Sequence, residues 1–184
     1  MSDKKIIAIQ GLPGSGKTVT IDYLMQKYGW PKVYFGDVTF DELKNRGWEI
    51  NEKNERMVRE NLRAKFGLLH YTKEVIKKIE AMENQPVILV ESLYSWEEYL
   101  FFKEKFGANF YLIAIYASPK TRYARLADRP IRPLTAEVAQ TRDHAQITNI
   151  SQAGPIAMSN FTMVNEGSLD DLYQDVDKVI KKII

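Results

Sequence analysis

The chain contains no cysteine, so it can form neither a disulfide framework nor a thiolate metal site. Histidine is scarce, and the two histidines, His70 and His144, lie in no recognisable catalytic or metal-binding pattern. Internal repeats and low-complexity tracts are absent as well. These absences leave an ordinary globular protein as the class that the composition favours.

Long apolar runs and concentrated basic runs are also missing. The N-terminus leads into only four consecutive apolar residues, Ile6–Ile9, which is too short for a signal-peptide core or a membrane-spanning helix. We therefore expect no membrane partner and a cytoplasmic location. The net charge is +2 and no dense Lys/Arg run occurs, which argues against nucleic acid as a partner.

The sequence instead shows short apolar runs alternating with longer segments of helical period. With 184 residues, 45% of them hydrophobic, the chain fits one domain. The predicted strands are Ile6–Gln10, Val33–Phe35, Val87–Val90, Phe110–Tyr116 and Phe161–Val164. The predicted helices span about 17–28, 38–46, 52–65, 68–83, 96–106, 119–127, 135–150 and 169–184. This alternation predicts an α/β fold with a parallel sheet between two helical layers.

Two stretches interrupt the simple alternation. Residues 37–83, between the second and third strands, are too many for one crossover and should form a helical insert. Residues 127–135 contain Pro130 and Pro133, which cannot lie inside a helix, so a loop should connect two helices there. Thr135 is the expected N-cap of the second of these helices.

A phosphate-binding loop follows the first predicted strand. Residues 11–18 match the pattern G-x-x-x-x-G-K-[ST] in full, between a strand and a helix as that motif requires. Glycines allow successive N–H groups to point inward, and the helix N-terminus adds further donors for phosphate oxygens. Lys17 can reach the β- and γ-phosphates, and the Thr18 hydroxyl can ligate Mg²⁺. We expect a bound nucleoside triphosphate to contact Gly11, Pro13, Gly14, Ser15, Gly16, Lys17 and Thr18.

Two carboxylates lie at the ends of predicted strands that are consecutive in the chain. Glu91 closes the apolar run at 87–90 in the manner of a Walker-B acid, and it could hold Mg²⁺ with Thr18, directly or through water. The alternative is a strand-end acid that faces water. Asp37 could orient an acceptor hydroxyl or a metal-bound water, or it could be the N-cap of the next helix. The sequence leaves both pairs of alternatives open.

Arginines cluster around the predicted loop at 127–135. Arg122, Arg125, Arg129, Arg132 and Arg142 could lie on a lid that closes on the phosphates, or they could be solvated helix-face charges. We favour the lid and select Arg129 and Arg132 as catalytic, because prolines hold both outside a helix.

Candidates for binding an acceptor are fewer. In the insert, Arg56, Arg59 and Arg63 share one helix face with interleaved glutamates. A salt-bridged surface is the simpler interpretation, and Arg63 remains the one acceptor-binding candidate of this group. Tyr94, just after the corner at Glu91, could line an acceptor pocket.

Several segments together resemble the nucleoside-monophosphate kinase superfamily, and more closely the dephospho-CoA-kinase-like and adenylate-kinase-related proteins. They are residues 11–18, 36–38, 117–126, 142–143 and 163–169. The resemblance implies a sheet of order 2-3-1-4-5 and ATP with Mg²⁺ as the phosphoryl donor. It also implies that Arg125, Asn165 and Gly167 help to bind the nucleotide, with residues 165–168 near the adenine.

The chain departs from that family on the acceptor side. Adenylate kinases carry an arginine shortly after the Gly-Asp pair, where this sequence reads Val-Thr-Phe at 38–40. Their Asp-Gly-x-Pro-Arg segment is replaced by Glu-Ser-Leu-Tyr-Ser at 91–95. These departures argue against an AMP acceptor. They leave two hypotheses, a kinase for another nucleotide-like small molecule and a nucleotide-binding regulator or slow ATPase.

Overall fold

Parallel strands form the centre of the molecule. The computed structural model describes residues 4–130 and 133–184. Within them, one five-stranded sheet has the order β2-β3-β1-β4-β5. Its strands are β1 Lys5–Gln10, β2 Lys32–Tyr34, β3 Val87–Glu91, β4 Phe110–Tyr116 and β5 Phe161–Val164. The predicted α/β class, the strands and the strand order implied by the resemblance are therefore confirmed.

Helices cover both faces of the sheet. They are α1 Lys17–Tyr28, α2 Asp37–Asn45, α3 Glu52–Phe66, α4 His70–Ala81, α5 Trp96–Phe106, α6 Pro119–Ala127, α7 Ala136–Ile150, α8 Ala153–Ala157 and α9 Leu169–Ile180. A short 3-10 turn, Gly107–Asn109, leads into β4. No helix of the described ranges is long and apolar enough to cross a membrane.

Two hydrophobic cores lie on opposite faces of the sheet. Ile21 and Leu24 of α1 and Val176 and Ile180 of α9 belong to one of them, and all four are nearly or completely buried. The other core contains residues of α4 and α5, among them the fully buried Phe102. Strands covered on both faces need apolar side chains at successive positions, which explains the continuous apolar runs of β1 and β3.

Local sequence signals account for most helix starts. Ser95 and Ser168 each form a capping box with an acid three residues later, and Thr135 caps α7 as predicted. Gly36, and not Asp37, is the N-cap of α2. The N-cap interpretation of Asp37 is therefore wrong, because Asp37 is the first residue inside the helix and the cap precedes it.

Helix α8 is absent from the prediction. It has only five residues, and it contains Gly154 and Pro155, two residue types that normally end helices. Proline is tolerated there because the first turn of a helix has no intrahelical partners for its N–H groups. Gly154 lies against the Trp96 ring, where a Cβ would approach a ring carbon to 2.8 Å.

The strand register brings the candidate residues to one edge of the sheet. Ile9 of β1 lies opposite Glu91 of β3, and Tyr34 of β2 lies opposite the same glutamate. The carboxyl ends of the central strands therefore meet at the beginning of α1. Ligands of open parallel sheets bind at this edge.

Candidate functional site: a phosphate-binding loop and the cleft beside it

The loop between β1 and α1 requires its glycines for steric reasons. Gly11 has φ 145° and Gly16 has φ 110°, both in the region that side chains disfavour. A Cβ on Gly11 would lie 2.4 Å from the carbonyl oxygen of Ile115, and one on Gly16 would lie 2.4 Å from Nδ2 of Asn165. The loop is thus packed tightly against β4 and against the residues that follow β5.

Lys17 bends over this loop. Its ammonium donates to the carbonyl oxygens of Gly11 at 2.7 Å and Leu12 at 3.1 Å. Burial, and then the charges of Arg129 and Arg142, lower the pKa of Lys17 to about 8. Lys17 and Arg129 both lie beside this loop, and two such cationic side chains suit a polyanionic ligand.

Thr18 and Glu91 meet next to the lysine. The Thr18 hydroxyl lies 3.3 Å from Oε1 of Glu91, and the Lys32 ammonium lies 2.8 Å from Oε2 of the same carboxylate. Glu91 is largely buried, so of the two alternatives for this residue, the acid that faces water does not describe it. Lys32, at the first position of β2, was not foreseen because only the sheet order places it beside β3.

Thr18 and Glu91 are chemically suited to Mg²⁺. Magnesium at nucleotide sites is held by one or two protein oxygens, while phosphates and water fill its other positions. One hydroxyl and one carboxylate oxygen 3.3 Å apart match that donor set. Within the described residues, no cluster of three carboxylate or histidine groups offers an all-protein metal site.

A cavity of about 360 Å³ opens beside the loop. Its lining contains loop residues, two arginines of the α6 region and residues that follow β5. They are Gly14, Gly16, Lys17, Thr18, Val19, Arg125, Arg129, Asn165, Gly167 and Leu169. The structure thus brings together most of the residues that the sequence and the resemblance selected for the nucleotide.

Arg125 and Asn165 close one wall of this cavity. The Arg125 guanidinium donates to the backbone oxygen of Asn165 at 3.0 Å, and Nδ2 of Asn165 donates to the Ser15 oxygen at 2.8 Å. Asn165 is almost fully buried. The segment after β5 is therefore attached directly to the phosphate loop.

Arg122 has a different position from the other arginines. It is buried and forms a two-pronged ion pair with Asp143 of α7, at 3.0 and 2.7 Å. Its Nη1 also donates to the Pro13 oxygen at 3.2 Å. Arg122 therefore joins α6, α7 and the phosphate loop, which the sequence analysis missed by grouping it with the lid arginines.

Of the two arginines selected as catalytic, only Arg129 lies within the described residues. Arg129 is exposed, follows α6 and lines the cavity near Lys17. Arg132 lies outside the described residues. After burial and the charge of Arg129, the charge of Arg142 on α7 also lowers the pKa of Lys17.

The acceptor candidates lie around the ends of β2 and β3. Asp37 and Glu91 are near enough to the Tyr34 phenol for their charges to add to burial in raising its pKa. Tyr94 accepts a hydrogen bond from the Ser92 hydroxyl at 2.8 Å, and burial raises the pKa of the Tyr94 phenol. Ser92 has φ 71°, a conformation that non-glycine residues rarely adopt and that often marks a functional turn.

Arg63 packs against an aromatic residue of the insert, with its guanidinium over the Tyr71 ring at 5.6 Å. Burial raises the pKa of Glu98, and the charge of Arg63 partly opposes that rise. Glu98 in turn accepts the backbone N–H of Tyr94 at 2.8 Å. Arg56 forms an exposed ion pair with Glu60, as expected, whereas Arg59 pairs with the largely buried Glu55.

The chain has relatives throughout its length. Residues 7–143 match the AAA domain family. A UPF0200 protein of Methanocaldococcus jannaschii is 32% identical over 182 residues, which cover 97% of this chain and 90% of that protein.

Solved structures with low sequence identity share the fold. A gluconokinase from Sinorhizobium meliloti has a TM-score of 0.61 at 13% identity and covers 96% of this chain and 91% of its own. A shikimate kinase from Bacteroides thetaiotaomicron has a TM-score of 0.60 at 12% identity, over 97% and 98% of the two chains. The fold is therefore that of the P-loop kinases, and the chain belongs to the AAA domain family and to the UPF0200 proteins.

Proposed function

We propose that the protein is an ATP-dependent kinase that transfers the γ-phosphoryl group to a nucleotide-like small molecule. The observation that carries the proposal is the cavity that Lys17, Thr18 and Arg129 line together, with Glu91 3.3 Å from the Thr18 hydroxyl. Phosphoryl transfer requires positioning and cationic stabilisation more than any covalent protein chemistry. This edge of the sheet offers both.

Each side chain has a defined task in the proposed reaction. Lys17 and the loop N–H groups hold the β- and γ-phosphates, while Arg129 and Arg142 balance charge that develops on the transferred group. Mg²⁺, held by Thr18 and Glu91, would neutralise phosphate charge. The γ-phosphorus bond to ADP breaks as a bond to the acceptor oxygen forms, and Asp37 orients that oxygen and takes its proton.

Adenine is the proposed base, as the family resemblance implies. Val19 and Leu169 supply apolar contact for a purine ring. The Arg125 guanidinium offers a plane on which the ring can stack.

Residues 37–83 would then bind the acceptor, and the loop at 127–135 would close over the phosphates.

Core side chains occupy the positions after the Gly-Asp pair, where adenylate kinases have an arginine. Val38 is buried, and Thr39 is buried with its hydroxyl 2.8 Å from that of Tyr71. The acceptor therefore depends on Arg63, Tyr94 and Asp37. We place the reaction in the cytoplasm.

The same observation favours a second candidate, a nucleotide-binding regulator or slow ATPase without a small-molecule acceptor. The two candidates differ in whether any metabolite accelerates ADP release. The deciding experiment measures ADP release from MgATP alone and with nucleosides, nucleoside monophosphates and dephospho-CoA. Stimulation by one compound, with a phosphorylated product, supports the kinase. Slow release indifferent to every compound supports the regulator.

Arg129 and Arg125 should have separable effects. Replacing Arg129 with alanine should lower kcat roughly tenfold, less than the 10²- to 10³-fold of a sole donor because Arg142 remains. Its effect on MgADP affinity should be smaller. Replacing Arg125 should chiefly weaken MgADP binding, since Arg125 supports the cavity wall through Asn165. Steady-state kinetics and calorimetry test this, and equal losses in kcat and affinity for Arg129→Ala would contradict it.

Nucleotide binding should weaken at alkaline pH. Because the pKa of Lys17 is lowered to about 8, its ammonium loses its proton as the pH rises through that value. Phosphate binding needs the charged form, so MgADP affinity should be level below pH 8 and fall by up to about tenfold per pH unit above it. Calorimetry between pH 6.5 and 9.5 measures the profile. The Lys17→Ala protein should lack this fall, and an equal fall in both proteins would refute the assignment.

A further inference from the structure

Two fully buried glutamines form an amide cluster directly behind the phosphate loop. Gln10 ends β1, and Gln152 lies in the turn between α7 and α8. Oε1 of Gln10 accepts from the Gly11 N–H and from Nε2 of Gln152, both at 3.0 Å. Nε2 of Gln152 also donates to the Gly11 oxygen at 3.1 Å. Both backbone polar groups of Gly11, the first residue of the loop, are thus bonded to these two side chains.

The same cluster reaches the acceptor corner. Nε2 of Gln10 donates to the backbone oxygen of Leu93, which lies between Glu91 and Tyr94 in the chain. On the other side, the Gln152 N–H donates to the Gln146 oxygen at 3.2 Å, at the end of the helix that carries Arg142. The cluster therefore joins the phosphate loop, the corner after β3 and α7.

Stability alone does not account for this arrangement. Buried amides are costly unless their polar atoms are bonded, and an apolar side chain of similar size avoids that cost. Oε1 of Gln152 has no hydrogen-bond partner within the described residues, so the fold tolerates an unsatisfied buried oxygen at this position. Such unpaired buried atoms are uncommon in native folds.

We propose that Gln10 and Gln152 are positioning residues, which set the distance between the phosphate loop and the acceptor corner at Glu91–Tyr94. The proposal rests on the kinase function proposed above. Hydrogen bonds from these side chains to the backbone of both segments restrain the distance between the reacting groups. A displacement of about 1 Å can lower a transfer rate 10²-fold. Neither glutamine needs to contact a substrate for this role.

The first test replaces Gln152 with methionine, which has a similar length and no donor. We expect kcat for ADP release to fall about tenfold or more, while the Kd of MgADP changes less than about threefold. Gln10→Met should give a similar loss, and the double variant should lose little more than either single one, because the pair acts as a unit. Ile180→Val is the control, since it alters a fully buried residue of α9 that has no part in the amide cluster. Its kcat should not change.

A second readout does not depend on turnover. In the unaltered protein, MgADP should slow amide hydrogen exchange both in residues 11–18 and in residues 91–95. In Gln152→Met, protection of 11–18 should persist while that of 91–95 is reduced. Equal protection of both segments in the two proteins would overturn the proposal, as would parallel losses of kcat and MgADP affinity. If MgADP protects both segments in the unaltered protein, Gln152→Met loses the protection of 91–95, and no turnover is found, the proposed kinase function would be refuted. The positioning role of the glutamines would remain.

Discussion

Replacing Arg122 with alanine is expected to lower the free energy of unfolding by about 3–5 kcal/mol, the cost of breaking one side of a buried ion pair. The substitution leaves the Asp143 carboxylate buried without its two-pronged partner. It also removes the bonds to the backbone oxygens of Ala117 and Pro13. Urea unfolding followed by circular dichroism measures the change.

Tyr123→Phe provides the control for this prediction. The Tyr123 hydroxyl donates to the same carboxylate at 3.0 Å, but Arg122 still neutralises Asp143 when that hydroxyl is removed. A loss of about 1 kcal/mol is expected for a single hydrogen bond. If Arg122→Ala cost no more than Tyr123→Phe, the ion pair would not hold α6, α7 and the loop together.

Replacing Lys17 with alanine is expected to lower turnover of MgATP roughly 10²- to 10³-fold, as for the loss of one preorganised donor to developing charge. The lysine ammonium bonds to the carbonyl oxygens of Gly11 and Leu12, so it is held directly at the phosphate loop. The folded protein should persist, because removing a partly buried cation relieves a desolvation cost.

Lys27 is the matched control for Lys17. It lies on the same helix, is well exposed and forms an ion pair with Asp177 at 2.6 Å, remote from the loop. Lys27→Ala should keep the turnover and nucleotide affinity of the unaltered protein. Unchanged turnover in Lys17→Ala would remove the basis of the kinase proposal, whatever the acceptor is.

Local patterns were sufficient to predict the phosphate loop and most of the elements around it. Glycine spacing, a preceding apolar run and a following helical period are all short-range features, so residues 11–18 could be placed between β1 and α1. The meeting of Thr18 and Glu91 needed one further step, the rule that parallel strands bring their carboxyl ends to one edge. The strand order itself came only from family resemblance.

Long-range pairs were beyond the reach of such patterns. Arg122 resembles Arg125 and Arg129 in sequence, yet it is buried against Asp143 while Arg129 is exposed. Lys32 and Glu91 are 59 residues apart, and Gln10 and Gln152 are 142 apart. A lone glutamine or lysine carries no signal of its partner, because the partner is supplied by the packing of other elements.

The sequence by itself determined the α/β class, the phosphate loop and the start of most helices. Each of these follows from contacts between residues that are close in the chain or from the period of apolar side chains. Only the tertiary structure decided which arginine supports the fold, which lysine pairs with Glu91 and how the loop is joined to the acceptor corner. Those roles depend on burial and on hydrogen bonds between distant segments, and both exist only after the sheet and its helical layers have assembled.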